Sequence, residues 1–381
     1  MCEGLRDLGV TLHEFTLTAG ASTLALTGPL PALPQTVIEF EPMAPRRTKA
    51  LRPPLRYADD WSLGRRWAVL ARAVNAWAPD VILANPCGVL RAAPPALERF
   101  EAPSVYYCDE ARRHDYEAAA RASTSRATRP VYALMRARTR RADRAAITSA
   151  TALATNSSHS AAGIYSAYGR EAAVITPGIA DVFDNDGIDR APLHVLSVGS
   201  LIPSKGHDLA IRALARAGLP LPLVVVAPRP EDAERSRLTA IAESAGVRVR
   251  FEFGISDGEL VDRYRSALAT LYLARNEPLG LVSLESQACG TPVIVAAEGG
   301  LAETVRNGET GFAVERDPAC VALALHQIAS ESVRGEMVRR VRGVGIARNA
   351  DAAAAVLQLL DDARSTTRST AGTPSRRARE R

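Results

Sequence analysis

The sequence predicts an α/β protein made of two doubly wound, parallel-sheet domains. Three observations carry this. Runs of Val, Leu and Ile alternate with amphipathic stretches, as strands buried on both faces require. The alternation occurs on both sides of Pro177–Ala191, a stretch with Gly, Asp and Pro and little periodicity. A length of 381 residues also exceeds what one core ordinarily serves.

In the first half, the strand candidates are Val10–Thr18, Thr36–Glu41, Asp80–Ala84, Pro103–Cys108, Ala150–Thr155 and Ala172–Thr176. A helix over about Ser62–Trp77 stops before Pro79, and a long Arg-rich helix runs from about Pro130 to Ala146. Met1–Gly9 reads as the last turns of a helix closed by Gly9. Pro177–Ala191 is the linker. The second half is cleaner. Strands are read at Leu193–Gly199, Leu221–Ala227, Val247–Phe253, Ala269–Ala274 and Pro292–Ala296. Helices fall between them at Lys205–Ala217, Glu231–Ala245, Asp257–Ala267 and Leu281–Ala288. A last helix, Asn349–Asp362, ends the folded body, and Ala363–Arg381 is expected to be disordered. The expected domains are 1–185 and 186–348, then the helix 349–362 and the tail 363–381.

The net charge of +5 belongs to the tail. Residues 1–190 hold 23 basic and 20 acidic residues, residues 191–362 hold 18 and 21, and the tail holds six and one. The folded body is therefore not a nucleic-acid binder by bulk charge. Of 47 basic residues only Lys49 and Lys205 are lysine. Five scattered cysteines form no C-x-x-C pair, and no apolar run is long enough to span a bilayer. A reducing, cytoplasmic compartment is the expectation.

The chemistry concentrates in Ala274–Gly300, ARNEPLGLVSLESQACGTPVIVAAEGG. Glu277 falls just past a strand, Pro278-Leu279-Gly280 makes a turn, and a helix opens at about Leu281. The first amides of that helix lack internal partners and form an anion site. Glu285 lies further along the same helix. A second element, Gly199-Ser200-Leu201-Ile202-Pro203-Ser204-Lys205-Gly206, follows the first strand of the same domain. Its lysine is a point charge suited to a departing diphosphate. A carboxylate for sugar hydroxyls, cations and amides for phosphate, and a carboxylate for a ribose diol are the parts a nucleotide-sugar needs.

LSVGSLIPSKGHDLAIRAL, EPLGLVSLE and ACGTPVIVAAEGGLAETVRNGETGF, in that order, resemble the donor half of retaining glycosyltransferases of family four. Weaker landmarks are APSVYYCDEARRHDYE, ATALATNSSHSAAGIYSAYGR and VITPGI. The resemblance covers about residues 10–330. It implies the GT-B fold, two Rossmann-like domains facing across a cleft. It implies transfer of a hexose from a UDP- or GDP-sugar, with no metal and no further cofactor. Glu277 and Glu285 match the E-x7-E motif and Lys205 the phosphate lysine. By the resemblance, Glu277 with the amides after Leu279 and Gly280 holds the hexose, and Glu285 the ribose. Leu281 and Val282 cap the phosphate, Gly199 and Ser200 bind the donor in the loop before Lys205, and Gly254 faces the base. The chain departs from the family at Ser200, usually arginine, with Arg275 the nearest substitute. It departs again at Asp109, commonly histidine. The family's opening strand and glycine loop are not found. Either an upstream start, adding roughly 20–40 residues, or a rearranged first domain is expected.

Other readings stand beside these. Asp109 and Glu110, at a strand end, serve the acceptor side or cap a helix. Asp184-Asn185-Asp186 imitates a D-x-D metal motif, but in a linker it reads as a turn. The Arg-rich stretch 121–144 is a solvated face or, with the tail, a weak contact to anionic lipid. The alternative to a transferase is a weakly active or inactive nucleotide-sugar-binding homologue or partner subunit.

Overall fold

The structure, a computed structural model, describes residues 2–18, 33–39, 52–86, 93–111 and 129–371. Its contacts divide the chain into two compact units. One comprises Met1–Asn156, Ser160–Ile175 and Ala350–Arg381; the other comprises Ser157–His159 and Thr176–Asn349.

The first unit opens with helix α1 (Cys2–Asp7), closed by Gly9 at φ +83°. Strand β1 covers Glu14–Thr18, shorter than the expected Val10–Thr18. It pairs in parallel with β2 (Gln35–Glu39) from Glu14 onward, and the Glu14 amide bonds to Pro34 O. Pro34 has no N–H to offer, so the ladder stops there. Helix α2 (Arg52–Trp77) buries Leu63, Trp67, Leu70, Ala71 and Val74, a helical stripe. Strands β3 (Ile82–Ala84), β4 (Ser104–Tyr107), β5 (Ala152–Thr155) and β6 (Ala173–Val174) form a separate four-stranded parallel sheet in that order. Phe15 and Leu17 of β1 and Ile82 of β3 share the cluster beneath α2. No strand joins β1 to β3 among the described residues.

Helix α3 (Arg129–Ser149) carries most of the Arg-rich stretch, whose residues 121–128 lie outside the described ones. Arg138 and Arg141 are exposed. Asp143 is buried and accepts from Tyr168 Oη at 2.7 Å and from the Ala93 amide at 3.1 Å. Helix α4 (Ser158–Tyr168) follows β5.

The second unit is a six-stranded, wholly parallel sheet. Its strands are β7 (His194–Val198), β8 (Leu223–Ala227), β9 (Val249–Phe253), β10 (Ala267–Tyr272), β11 (Val293–Ala296) and β12 (Gly311–Val314). Their spatial order is β12-β11-β10-β7-β8-β9. The chain lays β7, β8 and β9 outward, returns to place β10 against the free edge of β7, and continues the other way. Helices α5 (His207–Ala217), α6 (Asp232–Ala245), α7 (Asp257–Arg265) and α8 (Leu281–Ala288) make the crossovers. Helices α9 (Pro318–Ala329) and α10 (Glu331–Gly343) complete the cover. β7, β8, β10 and β11 are buried along their whole length, hence their largely apolar runs.

Arginines pin the linker to this unit. Arg265 donates to Asp184 O at 2.5 Å, Arg348 to Phe183 O at 2.8 Å, Arg342 to Ile188 O at 3.0 Å and Arg334 to Arg190 O at 3.2 Å. Each satisfies a carbonyl that has no ladder to join. Helix α11 (Asn349–Ala371) then returns to the first unit. Its Ala353, Val356, Leu360 and Ala363 pack with Leu5, Val105, Tyr107, Ala154 and Ile175. This corrects the expectation of disorder from Ala363: the helix continues to Ala371, while residues 372–381 lie outside the described ones. Once a helix is seated, each further residue adds a backbone bond at little cost. Ser365 and Thr366 point their hydroxyls back to Asp361 O and Asp362 O.

Leu271 is fully buried in β10, between β7 and β11, whereas Leu323 of α9 is 62% exposed. Leu271→Ala is expected to cost about 2–5 kcal/mol. Leu323→Ala should stay within about 0.5 kcal/mol. Urea unfolding midpoints of the two variants check this.

Candidate functional site

The reversal of strand order brings two loops together at the carboxyl ends of β7 and β10. In open parallel sheets this is where ligands bind. The first loop leaves β7 at Gly199, whose φ of +148° suits glycine. A Cβ there would lie 3.5 Å from Cγ and Cδ of Lys205, so the lysine stem runs over it. Pro203–Lys205 form a 3-10 turn ended by Gly206 at φ +76°. A Cβ on Gly206 would sit 2.3 Å from Leu273 O, so only glycine lets this loop lie against the strand end beside it. His207 fixes the loop from below. Its Nε2 donates to Ser200 O at 3.2 Å, and its Nδ1 lies 2.9 Å from Ser197 Oγ. A carbonyl only accepts, so Nε2 carries the proton. Burial lowers the pKa of His207 and keeps it neutral.

The second loop leaves β10 and turns through Asn276, at φ +47°, to Glu277. Gly300 N donates to Glu277 O at 2.8 Å. A Cβ on Gly299 would come within 2.5 Å of Glu277 O, and one on Gly300 within 1.9 Å of Pro278 O. The Gly-Gly pair thus exists so that two backbones can touch and set Glu277. Gly280, at φ +110°, then opens α8 and offers no side-chain cap. Leu281 is exposed, and Val282 is partly buried.

Lys205 Nζ lies 2.9 Å from Glu277 Oε2 and 3.1 Å from Oε1. The two side chains keep 20% and 22% of their surface exposed, so the pair faces solvent. Glu285, on α8, accepts from Tyr264 Oη at 2.8 Å. Burial raises its carboxyl pKa, partly offset by that hydrogen bond.

The structure thus brings together Gly199, Ser200, Lys205, Glu277, Leu279, Gly280, Leu281, Val282 and Glu285 on one end of one sheet. Ser200 is exposed, and its carbonyl is held by His207. Gly254 stands apart, at the end of edge strand β9, two strands from β7. Asp109 and Glu110 follow β4 in the other unit and are exposed. Asp186 of the D-x-D look-alike is paired with Arg190 at 2.5 Å and Arg265 at 3.5 Å, and Asp184 with Arg348 at 3.5 Å. Sequence reasoning missed Tyr264 and Tyr272, which touch the two glutamates. Their only mark is position, Tyr264 within a helix and Tyr272 at the end of a strand.

Residues 180–345 match the family described as glycosyl transferases group 1. The match takes in both loops and α8, but less than half of the chain. A D-inositol 3-phosphate glycosyltransferase of Acidothermus cellulolyticus is 41% identical over 157 residues, 38% of this chain and 35% of that one. The corresponding enzyme of Actinosynnema mirum is 33% identical over 208 residues, 48% of this chain and 50% of that one. The chain spans a third to a half of the length of these curated relatives. A sucrose-phosphate synthase from Thermosynechococcus elongatus superposes with a TM-score of 0.70 at 20% identity, over 96% of this chain and 92% of that one. Anabaena HepE, solved with UDP and glucose, gives 0.65 at 18% identity, over 92% and 99%. These likenesses establish the GT-B fold.

The raised Glu285 pKa makes a prediction. A carboxyl whose folded pKa lies above its unfolded one adds stability below the unfolded value and loses it as pH rises through the folded value. Ionised Glu285 therefore costs stability at neutral pH. Glu285→Gln, whose carbonyl can still accept from Tyr264, should raise the melting temperature at pH 7 and change it little at pH 4. Thermal unfolding at the two pH values reads the difference.

Proposed function

We propose that this protein is a retaining glycosyltransferase that moves a hexose from a UDP- or GDP-sugar to an acceptor. The observation that carries the proposal is the Lys205–Glu277 pair at the switch point of the sheet, beside the start of α8, which has no side-chain cap. An ammonium and free amides there neutralise a leaving diphosphate as its charge develops. In this reading Glu277 holds hexose hydroxyls, and Glu285, further along α8, accepts from a ribose diol. The family match over 180–345 supports the reading. So does UDP with glucose in a protein of like fold. The curated relatives make a phosphorylated polyol the first acceptor to try. Asp109 and Glu110 are the acceptor-side candidates. Fixed cations and dipoles serve in place of a metal ion in this scheme.

The second reading, a nucleotide-sugar binder with little turnover, draws on Ser200. It is an exposed hydroxyl where the family usually has a second cation. UDP-glucose hydrolysis separates the two, since a binder shows affinity without turnover.

Lys205→Ala should lower turnover of UDP-glucose about hundredfold, because the lost charge acts mainly in the transition state. Glu285→Ala should weaken UDP binding about tenfold by removing an ionic acceptor. Turnover should persist in EDTA. Steady-state kinetics and UDP titration calorimetry test these. Undiminished activity in both variants would remove the donor-site assignment, and loss in EDTA restored by manganese would remove the metal-free scheme.

A further inference from the structure

Tyr272 ends β10 with 4% of its surface exposed. Its hydroxyl donates to Glu277 Oε1 at 3.0 Å and accepts from Lys205 Nζ at 3.2 Å. A phenol has one proton and two lone pairs, so one oxygen serves both partners at once. Burial, and then the Glu277 charge, raise the pKa of this hydroxyl far above the ordinary value. It therefore keeps its proton, and its role as donor to Glu277, at neutral pH. The lysine ammonium lies beyond the hydroxyl end of the ring, 5.5 Å from its centroid. A Cβ built on Gly280 would stand 3.2 Å from Cε1 of the ring, so the ring packs beneath the turn that opens α8. One side chain thus touches the lysine, the glutamate and the turn before the helix.

An ion pair by itself fixes a distance and little else. The lysine is a point charge on a flexible four-carbon stem, and a carboxylate offers several equivalent lone pairs. A third group bonded to both ends removes that freedom. We propose that Tyr272 is a positioning residue. Its hydroxyl holds Lys205 and Glu277 in one orientation, with the ammonium toward a diphosphate and the carboxylate toward the hydroxyls of an attached sugar. The inference rests on the function proposed above and names a residue that its donor-site assignment leaves out.

Tyr272→Phe keeps the ring and removes only the hydroxyl. Two measurements read it. The first is UDP-glucose turnover, with kcat and KM resolved. The second is the rate at which formaldehyde and cyanoborohydride methylate Lys205, followed by peptide mass spectrometry. Lys49, the only other lysine, is the internal reference. The expected result is a fall of about tenfold in kcat with KM within about twofold. Lys205 should methylate several-fold faster than in the parent, and the melting temperature should hold within about 2 °C. Unchanged kcat together with unchanged methylation overturns the proposal. A large loss of melting temperature with both lysines methylating faster also overturns it, since that is a packing role alone. A parent that turns over no nucleotide-sugar defeats the proposed function instead. Methylation then decides Tyr272 by itself: faster at Lys205 upholds the positioning role, and unchanged overturns it.

Discussion

The pairing of β10 with β7 is the constraint on which the second unit depends. After β9 the chain has reached one edge of the sheet, and the next strand must find the only other open edge, that of β7. A right-handed crossover in each direction covers both faces with helices and leaves a crevice where the direction reverses. Two loops far apart in sequence then end side by side. The register shifts between Ala267 and Thr270 of β10 against β7. That irregularity falls on the strand that carries Tyr272 and leads into Glu277.

Close approach of backbones does the rest. Gly206, Gly299 and Gly300 each stand where a methyl group would collide with a main-chain carbonyl. Polar side chains alone could not set Glu277 within reach of Lys205, because loops free to move would leave both charges in water. Held as they are, each charge keeps about a fifth of its surface exposed. An exposed ion pair contributes little to stability, about 0–1 kcal/mol. Its value is orientation, and the glycines and His207 supply the rigid floor that makes orientation possible.

The sheet of the second unit was legible because its inner strands are buried on both faces, and LHVLSVG or LPLVVVA admits few other readings. The places of Lys205 and Glu277 are legible because each lies in a loop past a strand end, where charges have few structural duties; Glu285, a turn into α8, is legible only through the E-x7-E resemblance. β12 was not read: Gly311–Val314 is four residues long and only partly buried past Gly311, too short for periodicity to show. The first unit gave more trouble. β3 has three residues and β6 two, and the limit of β1 is set by Pro34 in a neighbouring strand. Such bounds come from pairing, which no local pattern encodes. The composition around Ala363 reads as tail, yet its burial follows from its place on the stripe with Val356 and Leu360. Tyr272 escaped notice for a related reason. An aromatic at the end of an apolar strand reads as core, and its ring is core; only the hydroxyl belongs to the site.

The scarcity of lysine sharpens the physical question at position 205. Arginine fills 45 of the 47 basic positions, so the composition itself favours arginine. A guanidinium is planar and presents its donors as a rigid fork matched to one carboxylate or phosphate at a time. The pocket at Lys205 asks for something else. It offers a carboxylate and a phenol oxygen, set around one nitrogen at 2.9–3.2 Å. A compact ammonium with three donors around one atom can meet partners on several sides while its stem lies flat over Gly199. A fork held by Glu277 on one edge would push on Tyr272, and through the ring on the turn at Gly280. The shape of this small polar cluster, more than its charge, is therefore what demands lysine.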